Sequence, residues 1–394
     1  MDCLIHDCSQ PEGLGLNDYA TQEFTIKYQT VKDACKLIQP NSYMVKVDLK
    51  SAYRSVPLHP SQYQYTGLKW TFTGSEKSTY LVDTRLPFGA RLSPSHFHRL
   101  TQSMRRMMER RNFQCIVYLD DFFVSAPSFE ECQTALNCLI TLLRSLGFSI
   151  AWQKVVDPTQ CLTFLGIEID SKTMTLHLPN DKVFTYKELL QEFLMRSRAS
   201  GRQLQQLAGK LSWASHVVKG GRIYQQRVLD LLRPLRRNDH KVRLGEEFKK
   251  DIIWWLSLLE HTNSCPILPP ELSIAHVYAD ASQTGAGIVT QDDWEYIDWN
   301  LDMPHVQEKH INIKETLAIV AAVYRWAHKW RGHNIIVYTD NITARAAINK
   351  GRCKDKEMMC HIRNLFWLSH FLNFSITCMH IPGVTNVQAD CVSR

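Results

Sequence analysis

The 394 residues contain no CxxC pair, although cysteine occurs twelve times. Without paired cysteines at metal-ligand spacing a zinc module is not indicated. The scatter also lacks the framework of a small disulfide-bonded secreted domain. Cys115, Cys138 and Cys378 fall in apolar runs, where a reduced core thiol is expected. No apolar run approaches membrane-spanning length, and the N-terminus has no charged-then-apolar signal pattern. Low-complexity tracts and internal repeats are also missing. These absences exclude fibrous, secreted and membrane classes. The expectation is an intracellular protein of the cytoplasm and/or nucleus, with no membrane partner. What is present is a 44% hydrophobic fraction, ample for the cores of two or three domains. A net charge of +7 suits a polyanionic partner. Nothing in the sequence speaks to oligomeric state.

Residues 115–124 read CIVYLDDFFV, two runs rich in β-branched and aromatic residues around Asp120 and Asp121. Each run reads as a strand, so the acids fall in the tight turn of a hairpin. One Asp suits a turn by itself. Two together, with no Gly or Asn beside them, raise each other's pKa unless a cation lies between them. A hard divalent ion such as magnesium supplies that charge; an ordinary surface hairpin is the plain alternative. Residues 43–56, YMVKVDLKSAYRSV, give a strand over 43–47 with Asp48 at its end, then a turn into a short helix. A third carboxylate there completes the donor set of a two-ion cluster. Such a cluster holds the attacking and leaving oxygens of a phosphoryl transfer in line.

Asp48, Tyr118-Leu119-Asp120-Asp121 and Leu86-Pro87-Phe88-Gly89 resemble, in order and spacing, the palm motifs of reverse transcriptases. The resemblance implies that Asp48, Asp120 and Asp121 ligate two Mg2+ ions, which Mn2+ can replace. It also implies that Tyr53, five residues past Asp48, sits under the nucleotide sugar and excludes a 2′-hydroxyl. A core tyrosine fits the same position equally well. Phe88 stands where retroviral enzymes carry glutamine and many retrotransposon enzymes carry an aromatic. With Gly89 and Arg91 it belongs to the template-gripping segment, and Gly89 would let backbone approach the substrate. Ser93-Pro94 reads as an N-cap and first helical residue, and Phe97, Leu100, Met104, Met107 and Met108 recur at helical spacing. Arg105, Arg106, Arg110 and Arg111 either touch phosphates or form a solvated face. A helix over 130–146 ended by Gly147 comes next, then a strand around 148–152. Lys154, by resemblance, protonates the leaving pyrophosphate.

Residues 3–18, CLIHDCSQPEGLGLND, resemble the fingers of reverse transcriptases from DIRS-type (tyrosine-recombinase) retroelements. So do LAGKLSWASHVVKGGRIY at 207–224 and Trp254-Trp255. In the wider family, basic residues at and before this point grip the triphosphate. Cys3 stands where Arg is expected, and the fingers are expected to be truncated at Met1. Those elements carry a tyrosine recombinase further downstream, and these residues include none. From Arg196 to Arg237 there are ten basic residues, Lys219 among them, and one acid, Asp230. That imbalance reads as a helical thumb or connection tracking a duplex backbone through salt-sensitive contacts. A solvated bundle face is the alternative.

Pro266, Pro269 and Pro270 read as a linker. Residues 275–282, AHVYADAS, then read as a strand ending at Asp280, and 285–289 as a second strand. Residues 311–330 form an amphipathic helix carrying Glu315, 335–341 a strand ending at Asp340, and HIPGVTNVQAD at 380–390 closes the set. Each acid alone suits a cap or a surface. The ordered set resembles ribonuclease H. That implies Asp280, Glu315, Asp340 and Asp390 as ligands of two further Mg2+ ions, His380 as a loop histidine aiding product release, and Asn386 as a substrate contact. Val387 replaces an acid common in that loop. Arg394 comes closely after Asp390, so the last helix is expected to be cut short.

The expected architecture is an α+β fingers/palm/thumb polymerase followed by an α/β ribonuclease H-like domain with a mixed five-stranded sheet. Fingers and palm are placed over 1–178, the basic thumb or connection over 179–264, and the last domain over 272–394. The resemblance implies an RNA-directed DNA polymerase with ribonuclease H activity. Its partners would be an RNA template, a DNA primer, dNTPs and an RNA–DNA hybrid. A ribonuclease H with a defective polymerase, or a non-catalytic nucleic-acid-binding relic, are the alternatives.

Overall fold

The computed structural model describes residues 5–21, 26–218, 220–261, 264–267 and 273–394. Met1, Cys3, Lys219, Pro269 and Pro270 therefore lie outside the described residues. The chain divides into two compact units, Met1–Pro179 and Asn180–Arg394.

The first unit is organised by β1 (Tyr43–Asp48), α1 (Ser93–Glu109), β2 (Cys115–Tyr118), β3 (Asp121–Ala126), α2 (Phe129–Ser145) and β4 (Val156–Thr159). The strands form an antiparallel sheet in the order β2-β3-β1-β4. Their apolar residues pack with α1 and α2 into one core that includes Val45, Val47, Phe97, Val117, Phe122 and Leu139. Within the α1 stripe Phe97, Met104 and Met108 are buried, but Leu100 is 37% exposed. Ser93 is not the N-cap: Leu92 takes that position, and the Ser93 hydroxyl donates to Pro87 O at 2.7 Å. α2 is capped by Ser128, whose Oγ accepts from Glu131 N at 3.2 Å, and Gly147 lies just past its end at φ 83°. Residues 148–152 do not form a strand; they make a single bridge, Leu49 with Ile150, before a 3-10 turn at Trp152–Lys154. Cys115 is buried and Cys138 partly so.

The second unit opens with α3 (Asn180–Met195), α4 (Gly201–Ala214) and α5 (Glu246–His261). A short ribbon of Arg198–Ser200 with Lys241–Arg243 interrupts this helical stretch. Then come β5 (Ser273–Ala281), β6 (Gly285–Val289), β7 (Trp294–Asp298), α6 (Ile311–Trp326), β8 (His333–Thr339), α7 (Ile342–Lys350), α8 (Lys356–Phe371), β9 (Ser375–His380) and α9 (Val387–Ser393). The five strands make the expected mixed sheet, in the order β7-β6-β5-β8-β9. The β7-β6-β5 edge is antiparallel and the β5-β8-β9 edge parallel. α6 packs on β5 and β6 and is buried along most of its length. The helical stretch and the sheet are joined by Asp251 of α5. Its Oδ1 accepts from Arg227 at 2.7 Å and from Arg363 of α8 at 2.6 Å. Among the described residues no helix is long and apolar enough to cross a membrane.

Candidate active sites

β1 and β3 pair in a register that sets Asp48 opposite Asp121. The β2–β3 hairpin sets Tyr118 opposite Asp121, so Leu119 and Asp120 form its turn. Leu119 sits at φ 53°, a left-handed backbone that costs a side chain of this kind roughly 1–2 kcal/mol. Strain of this sort persists only where its surroundings over-determine the geometry. Burial raises the Asp120 carboxyl above its ordinary range, and the charges of Asp121 and Asp48 add to it. Burial also raises Asp121, against the pull of Lys46. Lys46 Nζ lies 3.1 Å from Asp121 Oδ1. Lys154 Nζ donates to both Asp48 oxygens at 3.1 Å, and this bond holds the ammonium above its ordinary value. Lys46 escaped the sequence reading. Its signal was period two: it stands two residues before Asp48 on one strand, so both side chains share a face.

Tyr53 is 9% exposed, its ring centroid 4.8 Å from Phe88 and 5.1 Å from Phe97. Burial pushes its phenol up to about 12. Gly89 has φ 103°, and a Cβ there would lie 1.9 Å from the His6 carbonyl oxygen. His6 N donates to Phe88 O at 2.8 Å, Asn17 Nδ2 to Gly89 O at 3.0 Å, and Arg91 N to Asn17 Oδ1 at 2.7 Å. The close approach that Gly89 permits is therefore made by the chain's own residues 5–18.

In the second unit, β5 and β8 run parallel with Tyr278 opposite Tyr338, so Asp280 and Asp340 sit at neighbouring strand ends. α6 carries Glu315 to the same place. Among the described residues these three form a group whose ligand atoms all lie within 4.8 Å of one another. Glu315 is lifted to about 8 by burial and then by the charges of Asp280 and Asp340. Burial likewise raises Asp280, although Ser393 Oγ donates to its Oδ2 at 2.6 Å. Lys314 turns away and donates to Gln283 O at 3.0 Å. Crowded hard oxygens are a donor set suited to a divalent cation.

Asp390 is not in that group; its Oδ1 accepts from Arg394 Nη2 at 2.7 Å and Nε at 3.0 Å. Its helix is seated by Gly287, where a Cβ would lie 2.4 Å from Ala389 O and 2.6 Å from Ser393 N. Asn386 is 1% exposed, and its Nδ2 donates to Ala279 O at 3.1 Å, tying the loop to β5. His380 ends β9 opposite Thr339 and is exposed. Ser393 also escaped the sequence reading, although it stands three residues beyond Asp390 on one helix.

Residues 10–169 match the family model of reverse transcriptase (RNA-dependent DNA polymerase), and residues 273–371 match that of the RNase H-like domain found in reverse transcriptase. The chain carries a reverse transcriptase domain and an RNase H-like domain. Asp48, Asp120 and Asp121 fall in the first, and Asp280, Glu315 and Asp340 in the second. His380, Asn386 and Asp390 lie beyond the second match. The enzymatic polyprotein of cauliflower mosaic virus (strain D/H) is 24% identical over 322 residues, 78% of this chain and 45% of that protein. Its counterpart in figwort mosaic virus is 26% identical over 330 residues, again 78% and 45%. The Gag-Pol polyprotein of gibbon ape leukemia virus is 29% identical over 122 residues, 30% of this chain and 7% of that one. The chain thus spans less than half the length of the curated relatives it matches. Among solved structures, the foamy viral protease-reverse transcriptase dRH in complex with double-stranded DNA has a TM-score of 0.55 at 18% identity, covering 93% of this chain and 61% of that one. The foamy viral protease-reverse transcriptase in complex with an RNA/DNA hybrid gives 0.52 at 18% identity, covering 90% and 46%. At this identity the likeness is one of fold.

Between the reverse transcriptase domain and the RNase H-like domain, several cations of the basic stretch are paired within the chain. Arg196 pairs with Glu192, Arg227 with Asp251 and Glu247, Arg233 with Asp230 and Arg237 with Asp239.

Proposed function

We propose that this chain is an RNA-directed DNA polymerase with ribonuclease H activity, derived from a DIRS-type retroelement. One observation carries the reading: each of the two family matches falls on its own set of neighbouring carboxylates, Asp48 opposite Asp121 beside Asp120 in the first and Asp280, Glu315 and Asp340 in the second. Asp48, Asp120 and Asp121 would hold two Mg2+ ions, and Asp280, Glu315, Asp340 and Asp390 two more. Bound there, the ions supply the positive charge that phosphoryl transfer and strand cleavage need. The chain's own residues do the rest. Lys154 keeps a proton on Nζ beside Asp48, available to a departing pyrophosphate. Tyr53 and Phe88 form an aromatic wall under the nucleotide. Gly89 and Arg91 belong to the template-gripping segment, held by the fingers residues His6 and Asn17. In the RNase H-like domain Asn386 fixes the loop before Asp390, and exposed His380 stands at the product exit. The partners would be an RNA template, a DNA primer, dNTPs and an RNA–DNA hybrid. Residues 1–178 act as fingers and palm, 179–264 as thumb or connection and 272–394 as nuclease. We place the protein inside the cell, in cytoplasm or nucleus, from its scattered cysteines.

A nuclease without a polymerase is the second reading. The palm acids Asp48 and Asp121 each face a lysine, whereas among the described residues no cation forms an ion pair with Glu315, and this favours it. Primer extension on an RNA template and cleavage of an RNA–DNA hybrid, run on the same preparation, separate the two. Both activities are expected. Cleavage without extension would leave the second reading, and neither would defeat both.

A further inference from the structure

Lys46 stands on β1 two residues before Asp48, on the strand face that carries the carboxylates. β1 is an inner strand, held by β3 on one side and β4 on the other. Lys46 itself lies opposite Phe123 of β3 and Val156 of β4, so its backbone is fixed from both sides. Its ammonium lies 3.1 Å from Asp121 Oδ1, and the two side chains are 19% and 21% exposed. That carboxylate oxygen is shut off from solvent. Among the described residues no second cation pairs with Asp121. Lys154 is the contrast. It reaches Asp48 from a 3-10 turn, and its side chain is 57% exposed. A lysine so placed has room to swing away into water. Lys46, on an inner strand and largely covered, does not.

A fixed positive charge beside a carboxylate opposes the entry of any further cation there. It also takes up one of the two carboxylate oxygens and leaves the other for a metal. We propose that Lys46 is a resident counter-charge of the palm site, which holds Asp121 by Oδ1 and sets how tightly the carboxylates bind divalent cations. This rests on the reading of Asp48, Asp120 and Asp121 as metal ligands. Lys46 is a positioning residue, since it acts through Asp121. A lysine kept only to neutralise a buried carboxylate makes the opposite demand: its loss would cost the fold and metal binding together.

Mn2+ binding to the full chain, followed by the electron paramagnetic resonance signal of the free ion, tests this without recourse to activity. Asp280→Asn with Glu315→Gln is the background, so that the second carboxylate group does not contribute. In it Lys46→Met should bind Mn2+ at least about tenfold tighter, the gain from removing one positive charge. Lys46→Arg keeps the charge and should stay within about threefold of the background. Lys46→Gln, with a polar tip, should show the same tightening even if Lys46→Met folds poorly. Adding Asp121→Asn should erase the difference between Lys46 and Lys46→Met, because the two residues act as a pair. Weaker or unchanged binding in both Lys46→Met and Lys46→Gln would overturn the proposal, as would a gain that survives Asp121→Asn. If the background binds no Mn2+ that Asp48→Asn removes, the metal reading itself fails and the proposal goes with it.

Discussion

Glu315 is 3% exposed and shares a space under 5 Å across with two other acids. Its carboxyl, lifted to about 8, keeps its proton through a range in which the unfolded chain has released it. The stability this proton represents is complete below the ordinary carboxyl range and is lost as pH rises toward 8. In EDTA, the melting temperature of Glu315→Gln relative to the wild type should therefore rise between about pH 5 and about pH 8.5, by roughly 5 °C or more. Mg2+ should close that gap by stabilising the wild type and not the variant. A difference flat with pH would refute the crowded-carboxylate account. Ser393→Ala is the companion test: the variant loses the 2.6 Å bond that orients Asp280. Removal of such a partner typically lowers metal affinity 10- to 100-fold, which Mg2+ titration of hybrid cleavage would measure. That Asp280, Glu315 and Asp340 lie together was legible in sequence from their order and elements; that Asp390 stands outside their group was not. The supports Lys46 and Ser393 were not legible either, because a lysine or serine alone carries no distinctive signal.

At the level of elements, the hairpin and the mixed sheet could be read ahead of the structure because alternation and β-branched runs mark strands directly. The supposed strand at 148–152 could not survive, since its backbone serves 48–51 through one bridge and two hydrogen bonds and offers no ladder. Gly287 is the case in which spacing said strand but gave no reason for glycine. The reason is α9, whose backbone occupies the space of a side chain. Gly287→Val should push α9 off β6, at a cost of roughly 1–3 kcal/mol from overpacking. Hybrid cleavage should fall at least about tenfold through the displaced Ser393 and Asp390. Primer extension by the same preparation should hold. Unchanged cleavage would mean that α9 contributes nothing to that site. Gly89→Ala is the parallel case in the first unit, where the clash is with His6 O and the expected loss is of extension, with cleavage intact.

On the scale of the whole chain, composition suggested a basic helical module distinct from the sheet domain after it, yet residues from Asn180 onward cluster with the sheet in one unit. The link is Asp251, 2% exposed and bonded to Arg227 and Arg363, 24 and 112 residues away along the chain. Pairings at such separations leave no local pattern, so no reading of helices alone would find them. Asp251→Ala leaves the buried Arg363 guanidinium without its carboxylate partner and Arg227 with Glu247 alone, and breaking a buried pair this way costs roughly 3–5 kcal/mol. The RNase H-like domain should lose thermal stability together with the helices, in one transition, because they share the ion pair. The two carboxylate clusters, by contrast, belong to separate units and share no residue. Asp120→Asn with Asp121→Asn should abolish primer extension and leave hybrid cleavage within about twofold, since sites without shared partners act additively. Asp280→Asn should do the reverse. Both activities falling together in either variant would mean that one cluster, not two, carries the chemistry.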